Sequence, residues 1–221
     1  MSELCRERLA TQLAEAVAEA LQHDLNHQER ALLVVSGGST PVPFFRALAA
    51  RELPWERVEV TLADERWVAM EHADSNARLV GHHLLQGPAA AATFVSLTTH
   101  DPTPEQGVAE VARRLASLAW PASAVVLGMG GDGHTASLFP DSPELPLALT
   151  TAEPAVAIRA PGQLPRLTLS GDRLHRARRH FLHITGGDKR DTLVRALAGD
   201  DPRELPIRAF LSCPLAIYWA P

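Results

Sequence analysis

The chain has 221 residues, 46% hydrophobic and 21% charged, enough to bury a sizeable core and too apolar for a disordered segment. Lys and Arg number 21 against 26 Asp and Glu, a formal charge of −5, so the basic excess of a general nucleic-acid binder is missing. No apolar run approaches the roughly 18–20 residues that span a bilayer.

Residues 1–8 alternate charged and apolar side chains, without the core of a signal peptide. Cys5 and Cys213 are far apart and form no CxxC pair, so a reducing cytoplasm is the expected compartment. Leu9, Leu13, Ala16, Val17, Ala20 and Leu21 recur at helical spacing and predict an amphipathic helix over about the first 20 residues. Ala31–Val35 is short, apolar throughout and ended by Ser36-Gly37-Gly38, as expected of a strand buried on both faces of a parallel sheet. The pattern recurs. Val58–Leu62 runs into Ala63-Asp64-Glu65-Arg66, residues 122–127 into Gly128-Met129-Gly130-Gly131-Asp132-Gly133-His134, and 181–184 into Thr185-Gly186-Gly187-Asp188-Lys189. Helical patterns at 42–51, 76–85 and 105–118 separate these strands, and part of another lies at 193–197. Such alternation predicts right-handed βαβ units: an α/β fold, a mostly parallel doubly wound sheet flanked by helices, in one domain over residues 1–221. Pro140, Pro143, Pro146 and Pro154 predict an irregular, exposed stretch.

Every polar or glycine-rich cluster falls at a predicted strand end, where open α/β sheets bind ligands. Ser36-Gly37-Gly38-Ser39-Thr40-Pro41 fits a phosphate cradle, with converging N–H groups, three hydroxyls and a helix N-terminus. It equally fits a tight turn with Ser39 or Thr40 as N-cap and Pro41 near the first helical position. Gly128 to Gly133 matches GxGxxG, with Glu153 about 20 residues on. The prolines between them argue against the crossover helix that a dinucleotide site needs. His134, expected near a helix start, should be biased toward neutral imidazole by the helix dipole and serve as a general base, with Asp132 orienting it. The alternative is a capping His134 and an Asp132 that serves only the turn. Arg66 and Lys189 are candidates to clamp a dianionic phosphate, or else are solvated surface charges. His82, His83, His175, His180 and His183 have no metal-ligand spacing. No GxSxG elbow is present, so ester hydrolysis would need an activated water.

Ser36-Gly37-Gly38-Ser39-Thr40-Pro41, Asp64-Glu65-Arg66-Trp67-Val68, Asp74-Ser75-Asn76 and Leu127 through Pro140 together resemble the 6-phosphogluconolactonases. Pro165-Arg166-Leu167-Thr168-Leu169 and Thr185 through Lys189 extend the resemblance over nearly the whole chain. The related glucosamine-6-phosphate deaminases continue the Asp-Gly-His core with Ile-Ala-Phe-Asn-Glu-Pro and have Asp-Glu-Tyr in place of Asp64-Glu65-Arg66. Both departures favour the lactonases. The resemblance implies a Rossmann-like fold and hydrolysis of 6-phospho-D-glucono-1,5-lactone in the oxidative pentose phosphate pathway, with no obligatory metal or cofactor. It places His134 as general base beside Asp132, and Arg66 and Lys189 as phosphate-positioning cations. It adds Asp64 and Arg166 to the substrate-binding set. The 36–40 cradle (Ser36, Gly37, Gly38, Ser39, Thr40) and Gly130, in the loop whose N–H groups suit an oxyanion, complete that set. The expected partner is a small sugar-phosphate lactone, with neither nucleic acid nor membrane, and monomer and homodimer are both open. A deaminase, or a non-catalytic sugar-phosphate sensor, is the rival reading.

Overall fold

Leu13, Val17 and Leu21, spaced four apart, are fully buried on helix α1 (Ser2–Leu25) in the computed structural model, which describes residues 2–221. Truncating Leu13 or Leu21 to Ala would cost about 2–5 kcal/mol. Strand β1 (Ala31–Val35) is buried at every position, as are β2 (Val58–Leu62) and β5 (Ala124–Leu127), so both faces of the sheet centre are covered. The one charged side chain in these strands, Glu59, accepts hydrogen bonds from Arg30 and from the Ala119 N–H, which offsets its burial.

With β4 (Thr93–Val95), β8 (His180–Thr185) and β9 (Leu215–Ala220), these strands form a six-stranded sheet in the order β4-β2-β1-β5-β8-β9. Every neighbouring pair is parallel. The connecting helices include α2 (Val42–Ala49), α3 (Asn76–His83), α4 (Pro104–Ala116) and α7 (Gly187–Leu197). The α/β, mostly parallel doubly wound expectation holds. From β1 the chain steps outward to β2 and β4, and from β5 it steps the other way to β8 and β9. The order therefore reverses between β1 and β5, which opens a crevice beyond their carboxyl ends.

A second sheet was not anticipated. Asp64–Arg66 (β3), Ala155–Ile158 (β6) and Arg166–Leu169 (β7) pair antiparallel in the order β3-β7-β6. Two corrections follow from it. Asp64-Glu65-Arg66 is strand rather than a strand-end loop. The proline-rich stretch is only partly irregular, because it contains helix α5 (Leu145–Thr150), with Leu145 and Ala148 buried and Pro146 in the first turn, where no N–H is missed. Short helices α6 (Gly171–His175) and α8 (Arg208–Leu211) complete the fold. Among the described residues no helix is long and apolar enough to cross a membrane, and both cysteines are free.

Candidate active site

The loop after β1 is tied to the loop after β5. The Ser36 N–H donates to the Val126 carbonyl (3.1 Å), and the Gly128 N–H donates to Ser36 Oγ (3.3 Å). Gly37 is required by a close approach, since a methyl group there would overlap the Asn76 side chain. Pro41 stands at the N-cap of α2 without a side-chain cap, so the expectation that Ser39 or Thr40 caps this helix fails. Their hydroxyls make no hydrogen bond within the described residues, and both line the cleft.

Strand β3 sends alternate side chains to opposite sides. Asp64 accepts from Ser137 Oγ and, at 3.5 Å, from Arg166 Nη1. Arg66 donates from Nη1 to the Asp74 carbonyl (2.9 Å) and to Asn76 Oδ1 (2.7 Å), and Asn76 Nδ2 donates back to the Asp64 carbonyl (2.9 Å). Arg66 and Arg166 are direct cross-strand partners, an arrangement of like charges that is unfavourable by itself. Burial, and next to it the Arg66 guanidinium, pushes Arg166 below the usual arginine range, against the pull of Asp64. The Nε atoms of both arginines are buried without a partner. An anion in the cleft would offset the like charges of the two guanidinium groups.

Glu65 points the other way and is 1% exposed. Its Oε1 accepts from the N–H groups of Arg66 and Asn76 (2.8 Å each), and its Oε2 from the Ala77 N–H (2.7 Å) and Ser75 Oγ (3.2 Å). One carboxylate thus fixes the start of α3 and the backbone of Arg66 together.

After β5 the chain folds back on itself. The Gly130 N–H donates to the His134 carbonyl (2.8 Å), the Gly133 N–H to the Gly130 carbonyl (3.1 Å), and the Ile207 N–H to the Gly133 carbonyl (2.9 Å). His134 Nδ1 lies 2.6 Å from Asp132 Oδ1. A carboxylate only accepts, so Nδ1 carries a proton, and in the neutral ring Nε2 is the nitrogen that keeps its lone pair. The hydrogen bond from His134 lowers the Asp132 pKa to about 2, with burial opposing. No helix begins at His134, and the next is α5, so the helix dipole expected to act on the ring is absent and Asp132 sets its state instead. Phe139 packs against the imidazole at 4.5 Å between centroids, and the Arg166 guanidinium lies 5.1 Å from the Phe139 ring. Ala136, at φ 49°, holds the left-handed conformation that costs a non-glycine residue about 1–3 kcal/mol.

After β8, Gly186 (φ 95°) turns the chain into α7, whose first turn carries Lys189. Its Nζ lies over Gly131, 3.7 Å from where a methyl group on that residue would sit. Ser36, Gly37, Gly38, Ser39, Thr40, Asp64, Arg66, Gly130, His134, Arg166 and Lys189 all line one cleft of about 310 Å3, and Asp132 stands behind His134. Asn76, Thr135 and His183 also line it without having been singled out as site residues. Asn76 and Thr135 belonged to quoted motifs, whereas His183 was noted only as a histidine without metal-ligand spacing. Among the described residues no three His, Cys, Asp or Glu side chains gather as metal ligands would.

The family described as glucosamine-6-phosphate isomerases/6-phosphogluconolactonase matches residues 5–219. A 6-phosphogluconolactonase of Pseudomonas aeruginosa is 48% identical over 214 residues, covering 95% of this chain and 89% of that one. One of Rhizobium meliloti is 47% identical, covering 96% and 94%. The crystal structure of a 6-phosphogluconolactonase from Shewanella baltica superposes with a TM-score of 0.95 at 41% identity, covering 97% of this chain and 94% of that one. A cleft at the reversal of the strand order and a sequence match over nearly the whole length lead to one conclusion: the chain belongs to the glucosamine-6-phosphate isomerase/6-phosphogluconolactonase family.

Proposed function

We propose that the protein hydrolyses 6-phospho-D-glucono-1,5-lactone to 6-phospho-D-gluconate, the lactone step of the oxidative pentose phosphate pathway, with His134 as general base. The observation that carries this reading is the Asp132–His134 pair. Its unprotonated Nε2 belongs to a ring that lines the same cleft as two adjacent, incompletely satisfied arginines. The names of the relatives at 47–48% identity support the same substrate.

In this mechanism the 6-phosphate rests on loop 36–40, at the start of α2, with Arg66, Arg166 and Lys189 supplying positive charge. The anchored lactone turns C1 toward His134. Nε2 takes a proton from a water as its oxygen attacks C1, and Asp132 steadies the imidazolium that forms. The developing oxyanion falls to a loop N–H that the turn leaves free, such as that of Met129, since those of Gly128, Gly130 and Gly133 are engaged within the protein. The tetrahedral intermediate then collapses, the bond from C1 to the ring oxygen breaks, and the imidazolium returns its proton to that oxygen. Acid–base assistance of about 10²–10⁴-fold is in scale with a lactone that already opens slowly in water.

The test is a coupled assay. Glucose-6-phosphate dehydrogenase generates the lactone, and excess 6-phosphogluconate dehydrogenase reports product as a second phase of NADP reduction. The protein is expected to accelerate that phase and His134→Ala to abolish the acceleration with little change in KM. No acceleration by the wild type would overturn the lactonase reading, and a near-normal His134→Ala would overturn the base. Ammonia release from glucosamine 6-phosphate would favour the deaminase instead.

A further inference from the structure

His183 plays no part in this scheme, yet it is buried beside the cleft without a side-chain hydrogen bond among the described residues. It lies on β8 and is 4% exposed, with Phe44 packed edge-on at 6.2 Å between centroids. Its Nδ1 is buried and has no partner. Its Nε2 also has none among the described residues but is not sealed off, and the residue lines the cleft beside Ser39, Thr40 and Thr185.

A buried unpaired N–H is less tolerated than a buried unpaired lone pair, so the ring proton belongs on Nε2. The hydroxyls of Ser39, Thr40 and Thr185 make no hydrogen bond within the described residues either. Four groups able to donate, none with a side-chain hydrogen-bond partner among the described residues, adjoin the start of α2, and a tetrahedral oxyanion fits that set. Burial holds the imidazole at a pKa of about 4, so at neutral pH it is an uncharged donor. The charged groups on its outer side, Arg6 and Arg46 with Glu3 and Glu7, balance in sign.

We propose that His183 donates a hydrogen bond from Nε2 to the substrate's phosphate and thereby helps to set the preference for a phosphorylated lactone. This rests on the phosphate position given under Proposed function.

The first arm compares two substrates. His183→Leu is expected to raise KM for the phosphorylated lactone by about tenfold or more, with kcat within about twofold. Acid release from unphosphorylated glucono-1,5-lactone should be unchanged. An unchanged KM, or an equal loss on both substrates, overturns the proposal. The second arm needs neither a variant nor turnover, and it decides the matter if His183→Leu fails to fold. In 15N spectra of the wild-type histidines, His183 should show the Nε2–H tautomer, and that N–H should shift on titration with inorganic phosphate. A shift without lactonase activity would keep the donor and discard the reaction. Lactonase activity with an unmoved His183 signal would discard the donor alone.

Discussion

A methyl group at position 130 would fall inside the imidazole of His134, so the ring stands where only a glycine leaves room. Gly130→Ala must push the ring or Asp132 aside, because the atoms nearest to the added methyl group, two of the ring and Asp132 Oδ1, would lie no farther than 2.5 Å from it. Since displacement of a reacting group by about 1 Å can cost on the order of 100-fold, kcat should fall by at least tenfold. KM should change far less, because no phosphate-binding group moves. Steady-state kinetics with the coupled assay would check this split.

Asp132→Asn tests orientation rather than placement. The amide can donate to Nδ1, which leaves the proton on Nε2 and the base without a lone pair where water is attacked. A kcat loss of about 10²–10⁴-fold is expected. Asp132 also contributes a pH signature. Its folded pKa of about 2 lies below the ordinary 3.8, so the stability it adds is present above about pH 4 and is lost as pH falls toward 2. Acid unfolding of the wild type should therefore show a component over that range which Asp132→Asn lacks, measurable by circular dichroism.

The adjacent guanidinium groups of Arg66 and Arg166 predict stabilisation by anions. Inorganic phosphate should raise Tm in proportion to ln(1 + [L]/Kd). Arg66→Ala should shrink that rise and increase KM, and sodium chloride at equal ionic strength should not reproduce it. Equal shifts from both salts in differential scanning fluorimetry would mean ordinary charge screening.

Glu65→Gln would set an amide NH2 against at least two groups that donate to the carboxylate, at about 1–3 kcal/mol for each donor left unpaired. Tm should fall, and KM should rise because Arg66 and Asn76 lose their anchor. Burial raises the Glu65 pKa above 4.5, against the N–H groups of Asn76, Ala77 and Arg66. On acidification its protonation therefore begins at a higher pH than for an ordinary glutamate, and KM should climb there. The sign for stability is opposite: the folded state binds this proton more tightly than the unfolded chain, so this group adds stability as pH falls. KM should thus deteriorate before the fold does, which parallel kinetics and circular dichroism would show.

The sequence made the central strands readable because they are apolar at nearly every position and end in glycines. β1 and β2 appear where they were expected, and β5 is two residues shorter. The antiparallel sheet was hidden for the opposite reason. Asp64-Glu65-Arg66 carries three charges and spans three residues, too short for a period to show, and only its pairing with Arg166–Leu169 makes it a strand. Glu65 was illegible as a buried group because its four donors lie on residues 66 to 77 and become a set only once α3 folds against β3. His134 was legible as a candidate base and Asp132 as the carboxylate that orients it, and the two lie in hydrogen-bond contact. Only the helix start expected beside the ring is missing, because the prolines that follow place the next helix at Leu145.

The bonds that join Ser36 to Val126 and Gly128 make the hydroxyl loop and the histidine loop parts of one rigid frame, spaced by two neighbouring strands about 4.8 Å apart. Such a frame works as a gauge of length. With the phosphate on the first loop and His134 as base, as proposed above, a lactone whose phosphate is one carbon nearer its carbonyl should satisfy the anchor or reach the base, but not both together. Discrimination against shorter sugar phosphates is then built into the backbone rather than into any side chain that recognises their hydroxyls.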